Sequence, residues 1–330
     1  MQYRKLGNSD LNVPVISFGA WAAGGWLWGG PDDDNAVRAM ESAIDLGITC
    51  IDTAPAYGMG HSERLVGRAV YGKRDRVVIA TKCGLRWDCA DGERYFDTID
   101  NDGRPLTLYR NLRPESIRYE CEQSLQRMNI DCSALYQCHW PDSTTPIDDT
   151  MGALLDLQIQ GKVRAIGVSN FTADMMRQCL QTGQIASDQP PYSALTRGAE
   201  AEVLPFCRAN GIGVLAYSPL AQGLLTGKVP VDRVFPENDL RSKKPLFTRE
   251  NRVKVAEMLE KVKPIAEAHN ATLGQVFLAW TVAQPGMTTA LAGARNEAQV
   301  IENAGAGDLE LSDGELATIR GLVEAGWPIQ

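Results

Sequence analysis

Four residues of types that move protons stand at or just beyond the ends of apolar runs: Asp52, Tyr57, Lys82 and His139. Together they suit protonation of an alkoxide as it forms. A free phenol has a pKa of about 10, too high for an efficient proton donor near neutrality. A nearby Lys ammonium favours the phenolate and is expected to lower that value. An Asp paired with the Lys would hold it in place and keep it charged. A His beside the phenol can orient a substrate oxygen and help relay the proton. The set supplies no hydride, so a reduced cofactor is required. Each residue alone has an ordinary reading. An Asp at a strand end is often a cap, a loop Tyr is usually packing, and a Lys ending a strand is usually solvated. A lone His is as often a satisfied core residue. Their joint occurrence carries the argument.

For the four to meet, consecutive strand ends must share one rim. The chain alternates apolar, β-rich runs with longer amphipathic segments. Strands are expected at 15–19, 48–52, 77–82, 134–139, 163–168, 185–188, 214–217 and 288–292. Helices are expected over 35–46, from 62, over 114–128, over 150–160, from 172, over 200–210, 249–270 and 273–283, with two more closing the chain. Gly47, Gly161 and Gly211 read as helix stops, and Pro114-Glu115 as a helix start. Eight strands each followed by helix point to an α/β fold, a parallel (β/α)8 TIM barrel with extra helices and long strand-end loops. No composition break marks a linker, so 1–330 reads as one barrel domain. A doubly wound sheet would carry a GxGxxG turn after strand one. The stretch from Gly19 to Gly30 is glycine-rich but lacks that spacing, and it carries Trp21, Trp26 and Trp28.

Composition excludes other classes. The net charge of −8 argues against general nucleic-acid or anionic-membrane affinity. No apolar run reaches the roughly 18 residues of a membrane helix. The N-terminal Met1-Gln2-Tyr3-Arg4-Lys5 lacks the features of a signal peptide. The eight Cys are scattered singly, with no CxxC, which fits reduced thiols in the cytoplasm. His61, His139 and His269 are the only histidines and form no HxH or HExxH, so no metal site is expected.

The sequence resembles the aldo-keto reductase superfamily over almost its whole length. The resemblance rests on Ile51-Asp52-Thr53-Ala54-Pro55-Ala56-Tyr57-Gly58, Ser62-Glu63, Ala80-Thr81-Lys82 and His139-Trp140-Pro141-Asp142. It continues through the run from Gly161 to Phe171, Tyr217-Ser218-Pro219-Leu220, and Gly293-Ala294-Arg295-Asn296 with Gln299 and Asn303. The Trp21 to Gly30 loop is similar to a bacterial branch of general-stress and inositol-operon reductases. The resemblance implies a catalytic tetrad of Asp52, Tyr57, Lys82 and His139, and an extended NADPH site without a Rossmann motif. Trp21 and Asp52 would border that site. Ser169, Asn170 and Gln189 would hold the nicotinamide carboxamide, with Tyr217 stacked on its ring. Ser218, Leu220, Gly223, Leu225, Thr226, Gly227 and Lys228 would follow the pyrophosphate. Gly293 and Arg295 would meet the 2′-phosphate at a helix start, and Gln299 and Asn303 the adenine. Arg241 would close over the cofactor from a long loop at 230–248. Arg295 favours NADPH, with NADH also possible.

Trp21, Trp28, Tyr57, Trp87, His139 and Trp140 are the expected substrate contacts, with Trp26 nearby. Aromatic walls suit a small-molecule carbonyl that is sugar-like or aromatic. The polar insertion at 86–113 could be a lid, a partner surface or decoration. Two readings compete with carbonyl reduction: a Schiff-base lyase using Lys82 as nucleophile, and a redox-sensing NADPH-binding regulatory subunit with slow turnover. Neither a preferred carbonyl nor an oligomeric state follows from the sequence.

Overall fold

The computed structural model describes residues 1–326. A short antiparallel hairpin comes first, β1 (Tyr3–Lys5) and β2 (Asn12–Pro14). Next follow β3 (Ile16–Gly19), α1 (Asp33–Asp45), β4 (Cys50–Asp52), α2 (His61–Ala69) and β5 (Val78–Cys83). The insertion then holds β6 (Leu85–Arg86), β7 (Glu93–Ile99) and β8 (Pro105–Arg110) before α3 (Pro114–Met128). The alternation resumes with β9 (Ser133–Cys138), α4 (Ile147–Ile159), β10 (Val163–Ser169), α5 (Ala173–Thr182), β11 (Ser187–Gln189), α6 (Val203–Ala209) and β12 (Gly213–Tyr217). Last come α7 (Arg249–Ala268), α8 (Leu273–Val282), β13 (Thr289–Gly293), α9 (Glu297–Gly305) and α10 (Asp313–Gly326).

The strands β3, β4, β5, β9, β10, β11, β12 and β13 pair in parallel and close on themselves, so the expected eight-stranded barrel is present. The helices form because their apolar residues fall at helical spacing. In α1 these are Ala36, Ala39, Met40, Ala43 and Ile44, and Asp32 caps the helix by accepting from the Asn35 N–H. In α8 the Thr272 and Gln275 side chains cap reciprocally, and nearly every residue is buried.

The hairpin at the N-terminus was not expected. Leu6, Leu11 and Val13 bury against Cys50, Leu135 and Leu215 and plug the barrel's N-terminal end. A Cβ on Gly7 would stand 2.4 Å from the Ala186 carbonyl oxygen, and its φ of +54° adds to the demand for glycine. The plug leaves the opposite end, where the strands finish, open for a site. The insertion is a three-stranded antiparallel sheet in the order β6-β8-β7, not an irregular loop. The 230–248 loop carries only short 3-10 turns, at Leu240–Lys243 and Pro245–Phe247.

Candidate active site

Each of the four proton-handling residues reaches the same rim by a different local device. Asp52 is the last residue of β4, and Lys82 the penultimate residue of β5. The Lys82 Nζ donates to Asp52 Oδ2 at 2.7 Å and to the Thr53 carbonyl at 2.8 Å. The other Asp52 oxygen, Oδ1, accepts from Gln189 Nε2 at 2.9 Å. Tyr57 sits in the turn before α2. Gly58 there has φ +67°, and a Cβ on it would come within 2.9 Å of the Gly24 carbonyl oxygen. His139 lies one residue past β9, its N–H donating to the Cys83 carbonyl at 2.8 Å.

The Tyr57 ring is the hub. Lys82 Nζ lies 5.2 Å from its centroid. His139 meets it edge-on at 5.6 Å, and Trp21 stacks on it at 5.8 Å and 21°. No hydrogen bond ties the phenol oxygen to another described residue, so it is free for a ligand atom. A chain of bonds supports this hub. Tyr217 donates to Asn170 Oδ1 at 2.9 Å, and Asn170 Nδ2 donates to the His139 carbonyl at 3.0 Å. Ser169 Oγ donates to the Gln189 carbonyl at 2.7 Å. The rim is therefore tied from Tyr217 round to Lys82 before any ligand arrives.

Burial sets the protonation states, and one expectation is reversed. The Tyr57 pKa lies well above its ordinary value, first through burial and then through the charge of Asp52 and the neighbouring Tyr217. The Lys82 ammonium, bonded to Asp52 and the Thr53 carbonyl, does not reverse that rise. Burial also lowers the Lys82 pKa, opposed by the Asp52 charge. Burial, then the Lys82 charge, holds His139 well below the usual imidazole range, so it is neutral at pH 7. The site thus presents a phenol that keeps its proton beside a neutral imidazole. Lys82 is fully buried and does not line the cavity, which denies it the open approach a Schiff-base nucleophile needs.

Asp52, Tyr57 and His139 border a cavity of about 670 Å³, a size suited to a cofactor and a small ligand. Trp21, Trp28, Trp140, Ser169, Asn170, Gln189, Tyr217 and Ser218 line it. So do Leu220, Gly223, Thr226, Lys228, Arg241, Gly293, Arg295, Gln299 and Asn303. Three expected residues do not. Trp87 is corrected: beyond β6 it packs against the Arg127 guanidinium, 6.0 Å from its ring, and Arg127 is in turn held by Glu63. Leu225 is core, and Gly227, at φ +71°, shapes the turn behind Lys228. Arg241 is on the cavity but committed, bonded to Asp239 at 2.6 Å and lying 4.9 Å from the Trp28 ring.

Residues that the sequence reading missed also line the cavity, namely Leu85, Tyr95, Phe96, Arg233, Lys244 and Glu302. Glu302 had a signal, since it falls one helical turn after Gln299 on the same face of α9. Arg233, Lys244 and Arg295 make no ion pair with any described residue, and buried acceptors on Gln222 and Glu302 lack partners. Unmatched cations and unmatched acceptors lining one cavity fit a phosphate-bearing cofactor with an amino-substituted base. No group of His, Cys, Asp and Glu among the described residues could hold a metal ion.

Behind Gln189 lies a pH-sensitive element. Asp188 is fully buried, and its carboxyl is pushed up to about 8 by that burial, partly offset by the nearby Gln189 and Phe171 N–H groups. The folded chain therefore holds a proton that the unfolded chain releases near pH 4. The contribution of Asp188 to stability is greatest at low pH, falls as pH rises from about 4 to 8, and then levels. Asp188→Asn is expected to remove that slope, so its stability advantage over the parent grows between pH 5 and pH 8. Denaturant midpoints across that range check it, and a constant difference would refute it.

Comparison with known proteins agrees with this architecture. The pattern described as "Aldo/keto reductase family" matches residues 15–324. The chain is 41% identical over 326 residues to an NADH-specific methylglyoxal reductase of Escherichia coli, covering 97% of this chain and 98% of that one. It is 34% identical to an aldo-keto reductase of Schizosaccharomyces pombe named for NADP(+), covering 96% of this chain and 90% of that one. Its structure is similar to that of a glycerol dehydrogenase from Gluconobacter oxydans, with TM-score 0.89, 38% identity and coverage of 99% and 97%. The chain belongs to the aldo/keto reductase family. It is an NAD(P)H-dependent oxidoreductase acting on carbonyl compounds. No helix among the described residues is long and apolar enough to cross a membrane.

Proposed function

We propose that this chain reduces an aldehyde or ketone to the alcohol with Tyr57 as the proton donor. The observation that carries the reading is the unbonded Tyr57 hydroxyl at the cavity, with the buried Lys82–Asp52 pair beneath its ring and neutral His139 against its edge. A reduced nicotinamide supplies the hydride when bound. Tyr57 binds the carbonyl oxygen and delivers its proton as negative charge develops there. His139 orients that oxygen. The Lys82 ammonium sits where it stabilises the phenolate left behind, and Asp52 fixes Lys82. The aromatic rim excludes water from this exchange. Loss of NADPH absorbance across a panel of aldehydes, ketoses, inososes, keto-steroids, methylglyoxal and glyceraldehyde tests the reading; no oxidation with any of them refutes it.

Toward the cofactor, Ser169, Asn170, Gln189 and Tyr217 border the nicotinamide end and Ser218 to Lys228 the pyrophosphate. Gln299, Glu302 and Asn303 border the base. Arg295 is the residue we assign to the 2′-phosphate, because its guanidinium is unpaired at the start of α9. NADPH is therefore the favoured cofactor, although one similar protein is named NADH-specific. Arg295→Ala is expected to raise the KM for NADPH by about tenfold or more while moving that for NADH far less, since a charge-assisted phosphate contact contributes roughly 1.5–3 kcal/mol. Equal changes in the two constants would remove the assignment. The reading extends to a single catalytic domain over 1–330 working in the cytoplasm.

A further inference from the structure

The inserted sheet has no part in the chemistry above, yet it supplies one wall of the cavity. Along β7 and β8, Arg94 pairs with Tyr109 and the next pair is Phe96 with Leu108, so Tyr95 is an extra residue on β7. In an unbroken strand, neighbouring side chains point to opposite faces. The bulge defeats that alternation, and both Tyr95 and Phe96 line the cavity. Their rings meet edge-on at 4.9 Å. Phe96 stacks on Trp26 at 6.3 Å and 16°, and Tyr95 contacts Trp140 at 5.6 Å.

The sheet is fastened to the Trp-bearing loop just beyond this pair. Trp26 Nε1 donates to the Ile99 carbonyl at 3.0 Å, and Asn101 Nδ2 donates to the Gly24 carbonyl at 3.0 Å. A charge lies behind the wall. The Arg110 guanidinium stacks 4.1 Å from the Tyr95 ring, pairs with Glu93, and does not line the cavity. The cavity-lining side chains shown against this pair are therefore ring faces, Trp26 on Phe96 and Trp140 on Tyr95.

We propose that the β6-β7-β8 sheet selects the substrate, with the bulged pair Tyr95–Phe96 packing against the apolar body of an uncharged aromatic or branched-alkyl aldehyde. The proposal rests on the carbonyl-reduction reading and goes beyond it to the substrate class. Flat rings fixed by the bulge and by the Trp26 and Asn101 bonds gain contact area at little entropic cost. They also disfavour a carboxylate or phosphate packed directly against the ring faces, which would lose its hydration there.

The test compares benzaldehyde with glyoxal, which has no apolar body, using NADPH and the full chain. Phe96→Ala is expected to lower the ratio of kcat/KM for benzaldehyde over glyoxal by about tenfold, mainly through the benzaldehyde KM, as loss of a buried ring contact predicts. Phe96→Leu keeps apolar volume and is expected to fall between, which preserves the test if the alanine variant does not fold. A parent active on both aldehydes whose ratio is unmoved in either variant overturns this proposal alone. A parent that reduces neither aldehyde overturns this proposal, and one that also reduces no member of the wider carbonyl panel overturns the carbonyl-reduction reading with it.

Discussion

Tyr57→Phe is expected to lower kcat for carbonyl reduction by about 10²- to 10⁴-fold, the usual range for loss of a positioned general acid, while binding of NADPH stays within a small factor of the parent. The ring that stacks on Trp21 and meets His139 edge-on remains in the variant. Only the hydroxyl goes, and no other described residue bonds to it. The neighbours offer no substitute. His139 is neutral and held far below the ordinary imidazole range, so it carries no spare proton at pH 7. Lys82 has its donors directed to Asp52 and the Thr53 carbonyl and does not line the cavity. Single-turnover absorbance, paired with titration of NADPH fluorescence, separates chemistry from binding. Turnover equal to the parent would show that the proton comes from elsewhere. A matching loss of cofactor affinity would mean that the phenol holds the nicotinamide pocket together and is not a donor.

The reversed sign of the Tyr57 shift shows where sequence reasoning stops. Residue types at strand ends reveal which charges can meet, so the gathering of Asp52, Tyr57, Lys82 and His139 was legible. Burial is not legible in the same way. It depends on how completely the Trp21 loop and the neighbouring strands cover the phenol, and here it outweighs a cation 5.2 Å from the ring. The barrel was legible because each strand and helix repeats a period over several residues. The β1–β2 hairpin was not, since three-residue strands are too short to show alternation. Tyr95 and Phe96 were hidden for a related reason. Two adjacent aromatics contradict a period of two, and only the bulge reconciles them with a single face. Trp87, a few residues earlier, looked equally suitable, but the chain had already turned toward Arg127.

The buried ion pair is expected to matter as much for folding as for chemistry. Lys82→Met should cost about 3–5 kcal/mol of stability, because it leaves the buried Asp52 carboxylate without its cation. Asp52 keeps one donor, Gln189 Nε2 at 2.9 Å, which is too little to replace the ammonium. Adding Asp52→Asn removes the stranded charge and should recover most of the loss, since replacing both members of a buried pair is often close to neutral. Urea unfolding of the parent, both single variants and the double variant resolves the coupling. Single losses that simply add in the double variant would show that Lys82 and Asp52 act independently. Activity should return in none of the three, because the ammonium under the Tyr57 ring is absent in two of them and unanchored in the third.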